Sequence, residues 1–291
     1  MRRMLPILSI LFVLACTTTT QEPLATKIDA ILAAHPDQTI AIAWTELDEE
    51  RSLLRNEREI FHAASTMKVP VMLGIFEAIS RGDLRLDQSV TVRNRFVSIY
   101  DASGYALDPD SDSDPEIYAR VGTEMPLEEL VRRMIVLSSN LATNLTIELI
   151  GAPRVMALMK EIGAHDVQVL RGVEDQKAFD AGMNNTTTAH DLMQIFRTLA
   201  EGRVISPDAS AKMVEILLAQ EHRQGIPAGV PAGTSVAHKT GSITRISHDA
   251  GIITRPDGSR YVLVVLTRGF EDGREAQRVI AEVSRVVWDS R

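Results

Sequence analysis

Strand-like sequence occurs only towards the two ends of this chain, and that distribution restricts its architecture more than any other feature. Residues 39–44 (Thr-Ile-Ala-Ile-Ala-Trp) read as a strand, and a turn at Asp48-Glu49-Glu50 leads to a hairpin partner over 51–56. Three more strands are expected over 235–242, 249–254 and 260–267, with Arg255-Pro256-Asp257-Gly258 as the turn between the last two. The interval between these groups is helical. Met67, Val71, Ile75, Phe76 and Ile79 recur at spacings near 3.6, starting at Ser65 and stopping at Gly82. Helices are also expected over 126–137, 142–150, 153–162, 188–200 and 207–220, with one opening the fold over 24–34 and one closing it over 275–288. Strands this far apart in sequence bury their faces most economically by sharing one sheet. The expectation is a single α/β domain over 24–291, with an α/β lobe from 24–62 plus 223–291 and an all-helical lobe, 63–222, inserted between them.

The 291 residues are enough for a sizeable core. Net charge is −8 and no basic run interrupts it, which argues against nucleic acid as a partner, because phosphate binding needs clustered Lys and Arg. The N-terminus has its own logic. Met1-Arg2-Arg3-Met4 is basic, and 5–15 is apolar but too short to span a bilayer, so 1–15 reads as a secretory leader. It ends in Val13-Leu14-Ala15-Cys16, which resembles a bacterial lipobox with Leu14 as its less usual member. Cys16, the only cysteine in the chain, is then a lipidation site, and 16–23 a tether to a bacterial membrane, the outer one where the cell has two. The alternating acids over 108–116 lack the glycine and the twelfth-position glutamate of a calcium loop, and are expected to form a solvated acidic loop. None of the seven histidines falls at metal-ligand spacing.

Three short motifs carry the chemistry. Ser65-Thr66-Met67-Lys68 puts a hydroxyl and an amine on one helix face, where a lysine that loses its proton on burial can activate the serine. Ser138-Ser139-Asn140 falls between two expected helices. Lys239-Thr240-Gly241 falls inside an expected strand, where the lysine and threonine offer a charge and a hydroxyl to a carboxylate and Gly241 allows close backbone approach. S-x-x-K alone arises about once by chance in such a chain; the three together, in this order and on these elements, do not.

In this order the motifs resemble those of the active-site serine penicillin-recognising enzymes, and within them the class A β-lactamases, over roughly 24–288. The resemblance implies the β-lactamase/transpeptidase-like fold, an antiparallel five-stranded sheet flanked by the N- and C-terminal helices with an inserted all-α lobe. It implies Ser65 as nucleophile, Lys68 as its proton partner and Ser138 as donor to the leaving lactam nitrogen. It implies substrate binding by Asn140, Lys239, Thr240, Gly241 and Ser242, with the amides of Ser65 and Ser242 forming an oxyanion hole. No metal or organic cofactor is implied, and a monomer is the default. Glu174, in Leu170-Arg171-Gly172-Val173-Glu174, falls where the family carries its deacylating glutamate.

The departures are specific. Ser139 replaces the usual aspartate, and Ala178 stands where the family has a water-holding asparagine. Gly172 and Asn185 occupy the positions of the Arg–Asp pair that staples the loop. The support around Ser139 is therefore expected to be rewired. Arg223 and Arg245 are weaker candidates for a carboxylate contact, and surface positions fit both better. The reading is a serine β-lactamase hydrolysing a lactam through a Ser65 acyl-enzyme and Glu174-assisted water. Its rivals are a D,D-peptidase or related hydrolase of peptidoglycan peptides or esters, and a penicillin-binding protein that acylates without turnover.

Overall fold

The computed structural model describes residues 23–290. The leader over 1–15, Cys16 and nearly all of the tether lie outside the described residues. One five-stranded antiparallel sheet collects strands from both ends of the chain in the order Ser52–Arg55, Thr39–Glu46, Arg260–Arg268, Ile246–Thr254, Ser235–Ile243. Alternation along the strands assigns their faces. Ile40, Ile42 and Trp44 of the first strand, with Leu263 and Val265, pack under the helices Leu24–Ala33 and Gly273–Trp288. Ala41 and Ala43, with Val262, Val264 and Leu266, belong to the core shared with the helical lobe. Burial on both faces explains why 261–266 reads as an unbroken apolar run (Tyr-Val-Leu-Val-Val-Leu).

The helix Lys68–Ser80 forms the axis of the helical lobe, and all of its first eleven residues are buried. It is apolar on every side, as a helix wrapped by others must be. Against it pack Leu127–Val136, Asn140–Ile150, Ala152–Glu161 and Pro207–Leu218, while Ala189–Ala200 lies between Pro207–Leu218 and the sheet. Pro70 falls in the first turn, where its missing amide has no helical acceptor to satisfy.

Two expectations need correction. Ser65 does not stand on the α-helix: Ala64–Met67 is a 3-10 turn, and the α-helix begins at Lys68. The 108–116 segment is only in part a solvated acidic loop: Asp108, Asp110 and Glu116 are exposed. Asp112 and Asp114 are buried, Asp114 pairs with Arg133 at 2.8 Å, and the Asp112 carboxylate accepts from four donors described below. Local charge density suggested solvation, but the guanidinium of Arg133 and the amides of Asn140 and Leu141 that these acids serve lie 19, 28 and 29 positions further along the chain.

Candidate active site

The three motifs converge where the helical lobe meets the edge strand Ser235–Ile243. Ser65 lies on the 3-10 turn Ala64–Met67, and Lys68, three residues on, opens the α-helix that follows it. The turn is held by Thr66, whose Oγ1 donates to Ala63 O at 2.6 Å. Gly241 lets the strand lie flat against it: a Cβ there would stand 3.1 Å from the amide nitrogen of Ser65 and 3.0 Å from that of Thr66. Ser242 follows Gly241 on the strand and lines the same cavities as Ser65.

Lys68 Nζ donates to Ser138 O at 2.5 Å, Ser138 Oγ at 3.2 Å and Asn140 Oδ1 at 2.9 Å. Lys239 reaches the same hydroxyl from the strand, Nζ to Ser138 Oγ at 3.0 Å, and also donates to Thr240 O at 2.9 Å. Ser138 is left-handed, with φ at 62°, and this unfavourable backbone state points its hydroxyl between the two amines. Both lysines are fully buried. Desolvation of its ammonium pulls the pKa of Lys68 down to about 7, against the upward pull of Asp112 and then Glu174. Lys239 is held well below its usual value by burial and by the charge of Lys68, with Asp249 opposing. Two amines bonded to one hydroxyl in a dry site disfavour a second positive charge, so a proton held at one lysine is readily yielded at the other.

Ser65 lies between two cavities of about 350 and 410 Å³, which share Ser65, Asn140 and Ser242 in their walls. The first is lined also by Ser138, Thr240, Gly241, His222 and Asp112. The second is lined by Glu174, Arg171, Val173, Phe179 and Asn185. Asn140 joins the two: its Oδ1 accepts from Lys68, and its Nδ2 donates to Glu174 Oε1 at 2.7 Å.

Glu174 stands on a loop closed at its neck by paired backbone hydrogen bonds between Gln168 and Thr186, both 2.9 Å. Its side chain is exposed and its φ is 60°. Inside the loop, Asn185 Oδ1 accepts from the amides of Leu170 and Arg171, and its Nδ2 returns a bond to Arg171 O. Arg171 Nε donates to Met183 O at 2.9 Å, and its Nη2 to Asn184 Oδ1 at 3.0 Å. Neutral amides and one buried arginine thus close the loop without a charge pair. Asn144 ties the loop to its neighbouring helix, accepting from Val173 N at 2.6 Å and donating to Val173 O at 3.0 Å. Gly172 is required beside it, because a Cβ there would overlap the Asn144 amide. Ala178 is buried and lines neither cavity; its amide caps onto Asp175 at 3.2 Å.

A model of the β-lactamase enzyme family matches residues 23–290. The chain belongs to that family. It is 26% identical to the extended-spectrum β-lactamase PER-1 of Pseudomonas aeruginosa, over 93% of this chain and 88% of that one. It superposes on a β-lactamase of Sphaerobacter thermophilus with a TM-score of 0.79 at 25% identity, covering 92% of this chain and 98% of that one. PBP-A superposes with a TM-score of 0.77 at 25% identity, covering 93% and 97%. Family, fold and enzyme type agree with the motif reading: the chain has the β-lactamase/transpeptidase-like fold and is a serine hydrolase of the class A β-lactamase type.

Within this β-lactamase frame, Ser139 caps the helix Asn140–Ile150, its Oγ accepting from Ala142 N at 3.3 Å. The carboxylate missing from that turn is supplied by Asp112. Asn144, Arg171 and Asp112 were not among the sequence candidates. One signal was available for Asp112: with Ser139 in place of an acid, the helix has no acidic residue in its first turn. Arg245 pairs with Glu271 at 3.1 Å and lines neither cavity. Arg223 also lies outside both walls, whereas its neighbour His222 lines the first.

Proposed function

We propose that Ser65 attacks the carbonyl of a β-lactam and that Glu174 assists hydrolysis of the resulting ester. The observation that carries this is the Ser138 hydroxyl held between two buried amines at 3.2 and 3.0 Å. Lys68, with its pKa near 7, exists substantially as the free amine at neutral pH and can take the proton of Ser65 as Oγ bonds to the carbonyl carbon. The amides of Ser65 and Ser242 receive the oxyanion. When the lactam C–N bond breaks, Ser138 gives its proton to the nitrogen and is resupplied through the lysine amines bonded to it. Lys239, Thr240 and Ser242 hold the substrate carboxylate, and Asn140 the side-chain amide. Water then enters from the second cavity, gives a proton to Glu174 and attacks the ester; as the C–O bond breaks, that proton passes from Glu174 to the departing Ser65 Oγ, which restores the hydroxyl and the carboxylate.

The same reading has the enzyme exported and tethered through Cys16, acting as a monomer outside the cytoplasmic membrane; the basic, apolar and lipobox-like order of 1–16 supports it. Cys16→Ser should shift the protein from the membrane to the soluble fraction. Retention of that variant on the membrane would remove the anchor from the proposal.

A second reading, acylation with little turnover, has weaker support: Glu174 is exposed, Ala178 offers no side chain to a water, and PBP-A shares the fold, whereas the family model and the curated relatives are β-lactamases. A chromogenic cephalosporin distinguishes the two. Product accumulating over many enzyme equivalents supports hydrolysis; a burst of one equivalent followed by a stall supports the alternative.

A further inference from the structure

We infer that Asp112 is the positioning residue of the acylation site, holding Asn140 and the Ser138 turn from a separate strap of chain in place of an acid inside the motif. This rests on the reading of Ser65, Lys68, Ser138 and Asn140 given above. Asp112 Oδ1 accepts from the Asn140 amide at 3.0 Å, and Oδ2 from the Leu141 amide at 3.0 Å and the Tyr118 hydroxyl at 2.9 Å. Oδ1 also takes the Asp114 amide at 3.1 Å, which folds the strap on itself. With Ser139 Oγ on Ala142 N, the first three amides of the helix Asn140–Ile150 are all occupied, two of them by this one carboxylate.

The strap is fastened on both sides of Asp112. Asp114 accepts from Arg133 at 2.8 and 3.0 Å, and the carbonyl of Arg133 accepts from the Ser139 amide. Ser113 Oγ donates to Ser138 O at 3.3 Å, the oxygen that also receives Lys68. The strap therefore grips the turn at Ser138, Ser139 and Asn140. A negative charge at a helix N-terminus is favourable, and here it also bears on the Lys68 amine, which faces Asp112 from the strap, Glu174 from the loop and Lys239 from the strand. Removing the charge lowers the pKa of Lys68; moving it displaces Asn140.

The experiment measures acylation of the full-length protein by a chromogenic cephalosporin from pH 5.5 to 9.5, with Ser65 labelling by a fluorescent penicillin followed alongside. Asp112→Asn keeps the shape and loses the charge. Acylation should fall about ten- to a hundredfold, and the limb that titrates Lys68 should move to lower pH. A merely structural role would scale the whole profile with the folded fraction and leave the limb in place, and that result overturns the inference. Should D112N not fold, Asp112→Glu carries the test: slower acylation at an unmoved limb is expected, and a parental rate overturns the inference. A parent enzyme that no penicillin labels would overturn the reading of the site and this inference with it. A labelled parent with an unmoved D112N profile overturns this inference alone.

Discussion

On the side of Ser65 that carries Lys68, Ser138 and Lys239, each functional atom hangs from a turn, helix or strand set in the core, and both amines are completely buried. On the side that carries Glu174, the carboxylate is exposed, stands on a left-handed loop residue and is held by the Asn140 amide at 2.7 Å and, more loosely, by the Ser111 hydroxyl at 3.4 Å. Burial gives the first side its chemistry, because only a desolvated lysine has a free amine at neutral pH. The second side needs a carboxylate that an entering water can reach, and exposure supplies that access. The two sides therefore tolerate change differently. The acylation side is over-determined by packing, whereas the deacylation side depends on a few neutral hydrogen bonds.

The comparison breaks most sharply at Ser65. Ser65→Ala should remove covalent labelling by penicillin and lower kcat/KM by about 10⁴-fold or more, since the nucleophile has no deputy among the side chains around it. Intact mass after incubation with a penicillin checks it: any adduct on the variant would place the nucleophile elsewhere. Glu174→Gln should act on the other side alone. Acylation should stay within a few fold of the parent while kcat falls about 10²- to 10³-fold, and the acyl-enzyme should accumulate. A variant that turns over like the parent would remove Glu174 from the mechanism and leave the second cavity without its base.

What could be read in the sequence follows the same division. Ser65, Lys68, Ser138, Asn140 and the Lys239 strand sit on regular elements whose periodicity is local, so their convergence followed from motif order together with the expected sheet. The supports did not. Asp112 looked solvated because its partners, the amides of Asn140 and Leu141, lie 28 and 29 residues away. The loop staple was missed because Asn185 and Arg171 do with amide bonds what a charge pair does in the family pattern, and an asparagine in a loop carries no distinctive signal. Asn144 lies inside an ordinary helical run, and only the contact with Val173 gives it a role. Turn geometry escaped for a similar reason, since the 3-10 start at Ala64–Met67 is imposed by the strand packed against it.

The third expected effect is a pH dependence. The pKa of Lys68 is lowered, so its amine is protonated and inactive as a base below about 7 and free above it. kcat/KM for a cephalosporin should therefore rise about tenfold per pH unit below that point and level off above it. The linked effect on stability has the opposite sense to that of a paired group. The folded protein disfavours the charged lysine, so Lys68 weakens the fold increasingly as pH falls from its unfolded value of 10.5 towards about 7, and its contribution is level below that. Lys68→Met should accordingly abolish acylation while leaving the melting temperature unchanged or raised. A kcat/KM flat between pH 5.5 and 8 would mean that Ser65 gives its proton to another group.

A smaller effect belongs to the loop. Asn185→Ala removes two bonds accepted from the amides of Leu170 and Arg171 and one donated to Arg171 O. Leaving those buried groups unpaired should cost about 1–3 kcal/mol, read as a lower melting temperature. The lost order should slow deacylation several fold and leave acylation untouched. Equal loss in both steps would show that the two sides share more structure than Asn140.

The smallest effect is expected at Arg245, and it tests how far the acylation side extends. Its guanidinium is 3.1 Å from Glu271 and 3.4 Å from the carbonyl of Gly269, and its side chain is 55% exposed. An exposed pair of this kind contributes about 0–1 kcal/mol. The cavity wall beside Ser65 already offers Thr240 and Ser242, with the Lys239 amine buried behind them. Arg245→Ala should therefore change kcat/KM for a cephalosporin less than about twofold and leave the pH profile in place. A tenfold rise in KM with kcat unchanged would show that the substrate carboxylate draws Arg245 away from Glu271. The positive end of the site would then be assembled by the substrate instead of being built into the core, and the contrast between a buried, prepared side and an adaptable one would no longer fall along the line through Ser65.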